Sequence, residues 1–189
     1  MRALVILLLC TLCLPAAANT FRYKGIKRCY LLHVPRCYNK NNPTPLVIAL
    51  HGGGSSAHGM KKSSKFKELS EKENFIVLYP QAYKRQWNDG RNVPEIPSHR
   101  LGIDDVGFIN ALLDHICAQY NIDRSRVYAT GPSNGGFMSN RLGIELSHRL
   151  PAIAPMIATL PVNLKKAVPV GPVSVMIVNG TDDPLVPFN

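Results

Sequence analysis

Several things are scarce in this sequence, and each scarcity narrows what the protein can be. Only 18% of its 189 residues are charged, and although the formal net charge is +10, no run of Lys or Arg is dense enough for a nucleic-acid face. Lys61, Lys62, Lys65, Lys84, Arg85, Lys165 and Lys166 are scattered and carry no aromatic ladder with them. A basic solvated surface accounts for them, and no nucleic-acid partner is expected. The five cysteines and six histidines nowhere fall at metal-ligand spacing, so neither a metal nor another cofactor is expected. Internal repeats and low-complexity segments are absent, which leaves one globular domain of ordinary composition. The apolar run Ala3 to Leu14 is too short to span a membrane.

That run reads instead as the core of an export signal. Arg2 supplies a minimal positive start, and Ala16-Ala17-Ala18 offers a small-x-small cleavage site. Residues 1–18 are therefore expected to be removed, leaving 19–189 as the folded domain of a secreted protein, extracellular or periplasmic. Neither Cys10 nor Cys13 follows a small residue, so a lipoprotein anchor is not expected. Cys29, Cys37 and Cys117 remain, an odd number that implies a free thiol or a missing partner. Cys29 with Cys37 requires the chain to turn back near Pro35, while Cys117 on a helix suits a small buried hydrophobe.

Beyond the signal, apolar runs alternate with helical patterns. Arg28–Val34 reads as a strand, Asn39–Pro45 as a polar turn, and Leu46–Leu50 as a strand buried on both faces. Gly59–Lys72 reads as one helix, Phe75–Tyr79 as the next buried strand, and Gln81–Leu101 as a long irregular stretch. Asp104 or Asp105 caps a helix whose stripe is Val106, Ile109, Leu112, Ile116 and Tyr120. A strand near Val127, a helix opening at Phe137, a strand near Ile153–Ile157 and a last strand at Val173–Val178 complete the series. Such alternation predicts an α/β protein with a mostly parallel sheet covered by helices on both faces.

In sheets of this kind the site lies at the carboxyl ends of the strands. Three stretches fall there. Gly131-Pro-Ser-Asn-Gly135 sits between an apolar strand and a helix, so the Ser133 hydroxyl can project from a sharp turn where a base can reach it. The helix that follows offers free N–H groups and a positive dipole end. His51-Gly-Gly-Gly54 follows a buried strand, and successive glycines let backbone N–H groups turn into a pocket. Gly53 and Asn134 are the expected oxyanion donors. Asn179-Gly-Thr-Asp-Asp-Pro184 follows the last strand, where a carboxylate could orient a histidine. An Asp/Pro turn with no catalytic duty has the same composition. Asn179-Gly-Thr181 also matches a glycosylation acceptor, but a strand end beside a pocket is a poor place for a glycan.

The motifs PLVIALHGGG (45–54), FIVLYP (75–80), Trp87-Asn-Asp-Gly-Arg91, Asp104-Asp-Val-Gly-Phe108, Arg126 to Gly136 and NGTDDPLVP (179–187) occur in order across nearly all of the mature chain. With them the sequence resembles the exported α/β-hydrolase esterases grouped as polyhydroxybutyrate depolymerase-like and feruloyl esterase-like proteins. The resemblance implies an α/β-hydrolase fold and a serine esterase acting on small-molecule or polymeric esters, whether polyhydroxyalkanoate, feruloyl or short acyl esters. It implies Ser133 as nucleophile and Asp183 as triad acid, Asp182 being the neighbouring alternative. It also implies a substrate cleft that includes His51, Gly52 and Trp87. The oligomeric state stays open.

The sequence departs from that pattern twice. Pro132 removes a backbone donor beside the nucleophile. In these esterases the catalytic histidine follows the acid on a later loop, whereas this sequence ends at Asn189, so a fold lacking the C-terminal strand and helix is expected. Among the histidines present, His33 lies in a strand, His51 in the glycine loop, and His115 and His148 on helix surfaces, while His58 and His99 in loops stay open as the base. An inactive remnant that at most binds a ligand is the alternative to an active esterase. Two structural expectations follow. Ser133 should be strained, and Asp183 should point into the same cleft with room for an imidazole between them.

Overall fold

The computed structural model describes residues 18–187, so the export signal expected at 1–18, apart from Ala18, lies outside the described residues. A seven-stranded sheet runs in the order β1-β2-β4-β3-β5-β6-β7. Here β1 is Asn19–Tyr23, β2 Ile26–His33, β3 Thr44–Ala49, β4 Ile76–Pro80, β5 Ile122–Pro132, β6 Ala152–Met156 and β7 Ser174–Val175. The hairpin β1–β2 and the pair β2–β4 are antiparallel, and the five strands from β4 to β7 are parallel. The hairpin turns on Lys24 and Gly25, both at positive φ as a two-residue turn demands.

Alternation within the strands sends side chains to two separate cores. On one face Leu46, Ile48, Ile76, Leu78, Val127 and Ile153 meet α4 (Asp105–Gln119) and α5 (Asn134–Glu145). On the other, Ala49, Val77 and Tyr79 meet α1 (Ala57–Ser63) and α2 (Phe66–Glu73) through Ala57, Met60 and Phe66. The helices α1 and α2 cover only the β2–β4 side of that second face. Beyond them Tyr128, Thr130, Ala154, Met156 and Met176 line an open, mostly apolar groove of about 500 Å³.

Asp104 is the cap of α4, accepting from the Gly107 N–H at 2.8 Å and also bonding Tyr23 and Lys24. Three sequence expectations are corrected. The helix at Gly59–Lys72 is two helices, because Ser64 is extended and its N–H closes the first of them on Met60 O. The helix expected from Phe137 begins at Asn134, since the turn itself is its first cap. No disulfide joins Cys29 to Cys37: Cys29 is in mid-strand in β2, Cys37 bonds Asn74, and both are free along with Cys117. The irregular stretch 81–101 also holds one short helix, α3, at Pro97–Arg100. No helix of the described residues is long and apolar enough to cross a membrane.

Candidate active site

Ser133 stands at the carboxyl end of β5 as the N-cap of α5, half-buried, with φ 51° and ψ −123°. A residue with a Cβ holds such a conformation at a cost of about 1–3 kcal/mol, so the surrounding structure must impose it. The Ser133 N–H donates to Met156 O at 2.9 Å, pinning the turn to β6. From the other side, the backbone of Leu50 and His51 presses into it. A Cβ on Gly131 would collide with the Leu50 carbonyl, and one on Gly135 would lie 2.5 Å from that same oxygen and 2.8 Å from His51 O. Glycine here is a steric requirement of two interlocked backbones. Strain elsewhere on this edge has the same context: Lys84 and Arg85 have φ 46° and 64°, and Ile157 after β6 has φ 52°. Arg85 O accepts from the Gly54 N–H, bracing the glycine loop.

That loop is held by its carbonyls. Trp87 Nε1–H donates to His51 O at 2.9 Å, and His51 Nδ1–H donates to Gly52 O at 2.8 Å, where the Ser55 N–H also arrives. Every peptide in the described chain is trans, so C=O and N–H of one peptide point opposite ways. Turning the carbonyls of His51 and Gly52 inward therefore turns the N–H groups of Gly52 and Gly53 outward. Among the described residues, neither these nor the Asn134 N–H meets an acceptor. A Cβ on Gly52 would lie 4.0 Å from Ser133 Cβ, so the free donors flank the hydroxyl.

His51 and Trp87 do not line a cleft as expected; both are fully buried. His51 Nε2 accepts from the Ala82 N–H and from Gln81 Nε2, each at 3.1 Å, which leaves the ring neutral with its proton on Nδ1. Burial holds its pKa below the usual histidine value. The imidazole is thus a fixed part of the loop.

Asp183 follows β7, two strand positions from β5, which at normal strand spacing is roughly 10 Å. Its Oδ1 accepts from the N–H groups of Leu185 and Val186, which hold the carboxyl below its ordinary pKa. The segment reaches this position through a parallel ladder in which Ser174, Met176 and Val178 donate to Pro151, Ile153 and Pro155. Asn179 is engaged at both ends of its amide with Ala158, which leaves its sequon poorly disposed for a glycan. Asp182 is exposed.

Most of the histidines are committed elsewhere. His33 pairs with Glu71, His115 packs on Phe21 and Tyr30, and His148 lines a cavity with Arg124 and Arg149. His58 is exposed on α1, beside a small cavity with Cys29 and Gln81. His99 is buried: Nδ1 accepts from the Val93 N–H at 2.8 Å, and Nε2 faces Trp87 O at 2.9 Å and Asp89 Oδ1 at 3.3 Å. Of the two histidines left open as a base, His99 is committed to this loop, while His58 is exposed on α1 with no hydrogen-bond partner among the described residues. Sequence reasoning missed what His99 belongs to. The Asn134 side chain donates to Trp87 O and to Asp89 Oδ2 (2.6 Å) and accepts from Trp87 N–H, while Asp89 is forked by Arg91. The Trp-Asn-Asp-Gly-Arg string was visible, but its inward direction was not.

Among solved structures, a thermostable esterase superposes with a TM-score of 0.63 at 26% identity, over 90% of this chain and 48% of its own. An acetyl xylan esterase from Aspergillus awamori (TM-score 0.57, 22% identity, 67% of this chain and 45% of that one) shares the fold. The class is the α/β-hydrolase fold. Within it, the chain belongs to the esterase PHB depolymerase family, whose model matches residues 28–179. It is 31% identical over 167 residues to "Putative esterase NocK" of Nocardia uniformis subsp. tsuyamanensis, covering 87% of this chain and 48% of NocK. It is 34% identical over 95 residues to feruloyl esterase B of Neurospora crassa, covering 50% of this chain and 32% of that enzyme. The chain spans about half the length, or less, of these relatives.

Proposed function

We propose that this chain carries the nucleophile half of a secreted serine esterase that hydrolyses carboxylic esters through an acyl-enzyme. The observation that carries the reading is the strained, half-exposed Ser133 with three unengaged backbone donors around it. In this reading Ser133 Oγ attacks the ester carbonyl carbon and gives its proton to a base. The carbonyl electrons move onto an oxygen held by the N–H groups of Gly53 and Asn134, with Gly52 beside them. The alcohol leaves with that proton, and water repeats the sequence on the acyl-enzyme. Asp183 orients the base from the segment after β7, two strand positions away. His33, His51 and His99 are engaged elsewhere and nothing places His58 at Ser133, so the base is assigned to the part of the protein that the longer relatives add to the matched half.

The substrate class is argued by likeness: the family is described as esterase PHB depolymerase and relatives are named feruloyl esterase and acetylxylan esterase, so polyhydroxyalkanoate, feruloyl and short acyl esters are the proposed substrates. Export rests on the signal pattern at residues 1–18. The test is hydrolysis of p-nitrophenyl butyrate by the full-length protein, together with fluorophosphonate labelling. Activity and label should both vanish in Ser133→Ala. A parent protein that neither hydrolyses nor labels would favour an inactive remnant.

A further inference from the structure

The nucleophile turn and the glycine loop come from separate strands, β5 and β3, yet their donors must agree to within a fraction of an ångström to share one oxygen. One residue touches the supports of both. Trp87 pairs its own backbone N–H and C=O with the Asn134 carboxamide at 2.8 and 3.1 Å, a two-point clamp on the first residue of α5. Its indole N–H reaches His51 O, the carbonyl whose peptide presents the Gly52 N–H. Asp89, wholly buried, closes the arrangement behind Asn134, and His99 donates to the same Trp87 carbonyl. Asn88 ties the segment's far side to Asp105 at 2.7 Å, and Asp105 is itself paired with buried Arg28. So the 87–89 segment cannot move without moving both walls.

We propose that Trp87, backed by Asp89, is a positioning residue for the hydrolytic site, fixing the spacing between the two walls of the oxyanion-binding site. Its indole faces no substrate and touches no reacting atom; it acts through His51 O and the Asn134 amide. This rests on the reading of Ser133 as nucleophile, and it adds a residue that would set kcat from outside the pocket. Because binding of the uncharged ester does not need the aligned donors, kcat should fall while KM holds.

Site-specific replacement of Trp87 by β-(3-benzothienyl)alanine through amber suppression exchanges the indole N–H for sulfur at nearly constant shape and changes this one residue. In the full-length protein, kcat on p-nitrophenyl butyrate should drop about 10- to 100-fold, less than outright loss of a donor, with KM within about twofold. Asn134→Ala keeps its backbone N–H but loses the clamp, and should give the same split. Its fold is checked by a cooperative urea transition with the slope of the parent. Unchanged kcat in a folded Asn134→Ala or in the benzothienyl protein, or a loss confined to KM, overturns the proposal and leaves the nucleophile reading standing. A parent protein that is inert and unlabelled overturns both.

Discussion

The carboxyl edge of the sheet differs sharply between its two halves. From β4 to β5, the chain is buried and every support is cross-tied: His51, Trp87 and Asp89 are fully enclosed, and their polar atoms are bonded. From β6 onward, Leu160, Val162, Val168, Val170, Val175, Met176, Ile177, Val178 and Leu185 are all exposed, and β7 is held by a backbone ladder on one side only. The proposed nucleophile and its proposed donors are preorganised by the fold, while the proposed acid is held only by its own loop. Stability and chemistry should therefore be inseparable in the first half and separable in the second.

Substitutions that add or remove one to three carbons break the comparison most severely. Gly131→Ala drives a Cβ into the Leu50 carbonyl, backbone against backbone, and should destabilise by upwards of about 4 kcal/mol or prevent folding. Gly171→Ala meets nothing within 4 Å and should change stability by less than about 0.5 kcal/mol. Next in size, Leu112→Ala empties a fully buried site between α4 and the sheet, at a cost of about 2–5 kcal/mol. Val170→Ala, 83% exposed, should cost almost nothing. Urea unfolding of the four variants decides both pairs. Equal losses within a pair would mean that the two halves are packed alike.

This contrast also marks what could be read from sequence. The buried strands, the α4 stripe and the Asp104 cap were legible because each is a local pattern with one dominant cause: period, cap chemistry or an unbroken apolar run. The turn at Ser133 was legible because its glycines answer to sterics. The break at Ser64 was not, since either helix alone or both together fit the spacing. Nor was the enclosure of His51 and Trp87. A histidine beside glycines and a tryptophan in a polar loop both suit a cleft wall, and only tertiary contacts turn them inward. The Asn134–Asp89–His99 network joins residues 10 to 45 positions apart with no periodic signature.

Acid should weaken the tied half through His51. Burial, helped by Arg85 and Arg28 and opposed by the hydrogen bond to Gly52 O, keeps its folded pKa below the usual value. Below about pH 6.5 the unfolded chain takes up this proton and the folded one does not. Stability is then lost as pH falls, by at most about 1.4 kcal/mol per pH unit for one proton. His33 is shifted in the same direction, so the measurement is a difference: His51→Gln should lose less stability than the parent between pH 7 and 5. Parallel losses would show that His51 is free to protonate in place.

The smallest effect on stability is expected at Asp183, where the contrast is sharpest. Its Oδ1 accepts from the N–H groups of Leu185 and Val186, and asparagine keeps an oxygen for both. The urea midpoint of Asp183→Asn should thus match the parent at neutral pH. The two donors hold the carboxyl below its ordinary pKa, so any contribution of its charge is present above about pH 4 and lost as pH falls through that range. Activity should behave oppositely. In the full-length protein, replacing the acid that orients the base should lower kcat on the order of 10⁴-fold, as expected when an imidazole loses its orienting carboxylate. Asp182→Asn, exposed one residue earlier, serves as the control and should leave kcat within about twofold. If instead Asp182→Asn loses activity and Asp183→Asn does not, the acid is assigned to the wrong neighbour; if neither does, the second half of the edge carries no part of the chemistry.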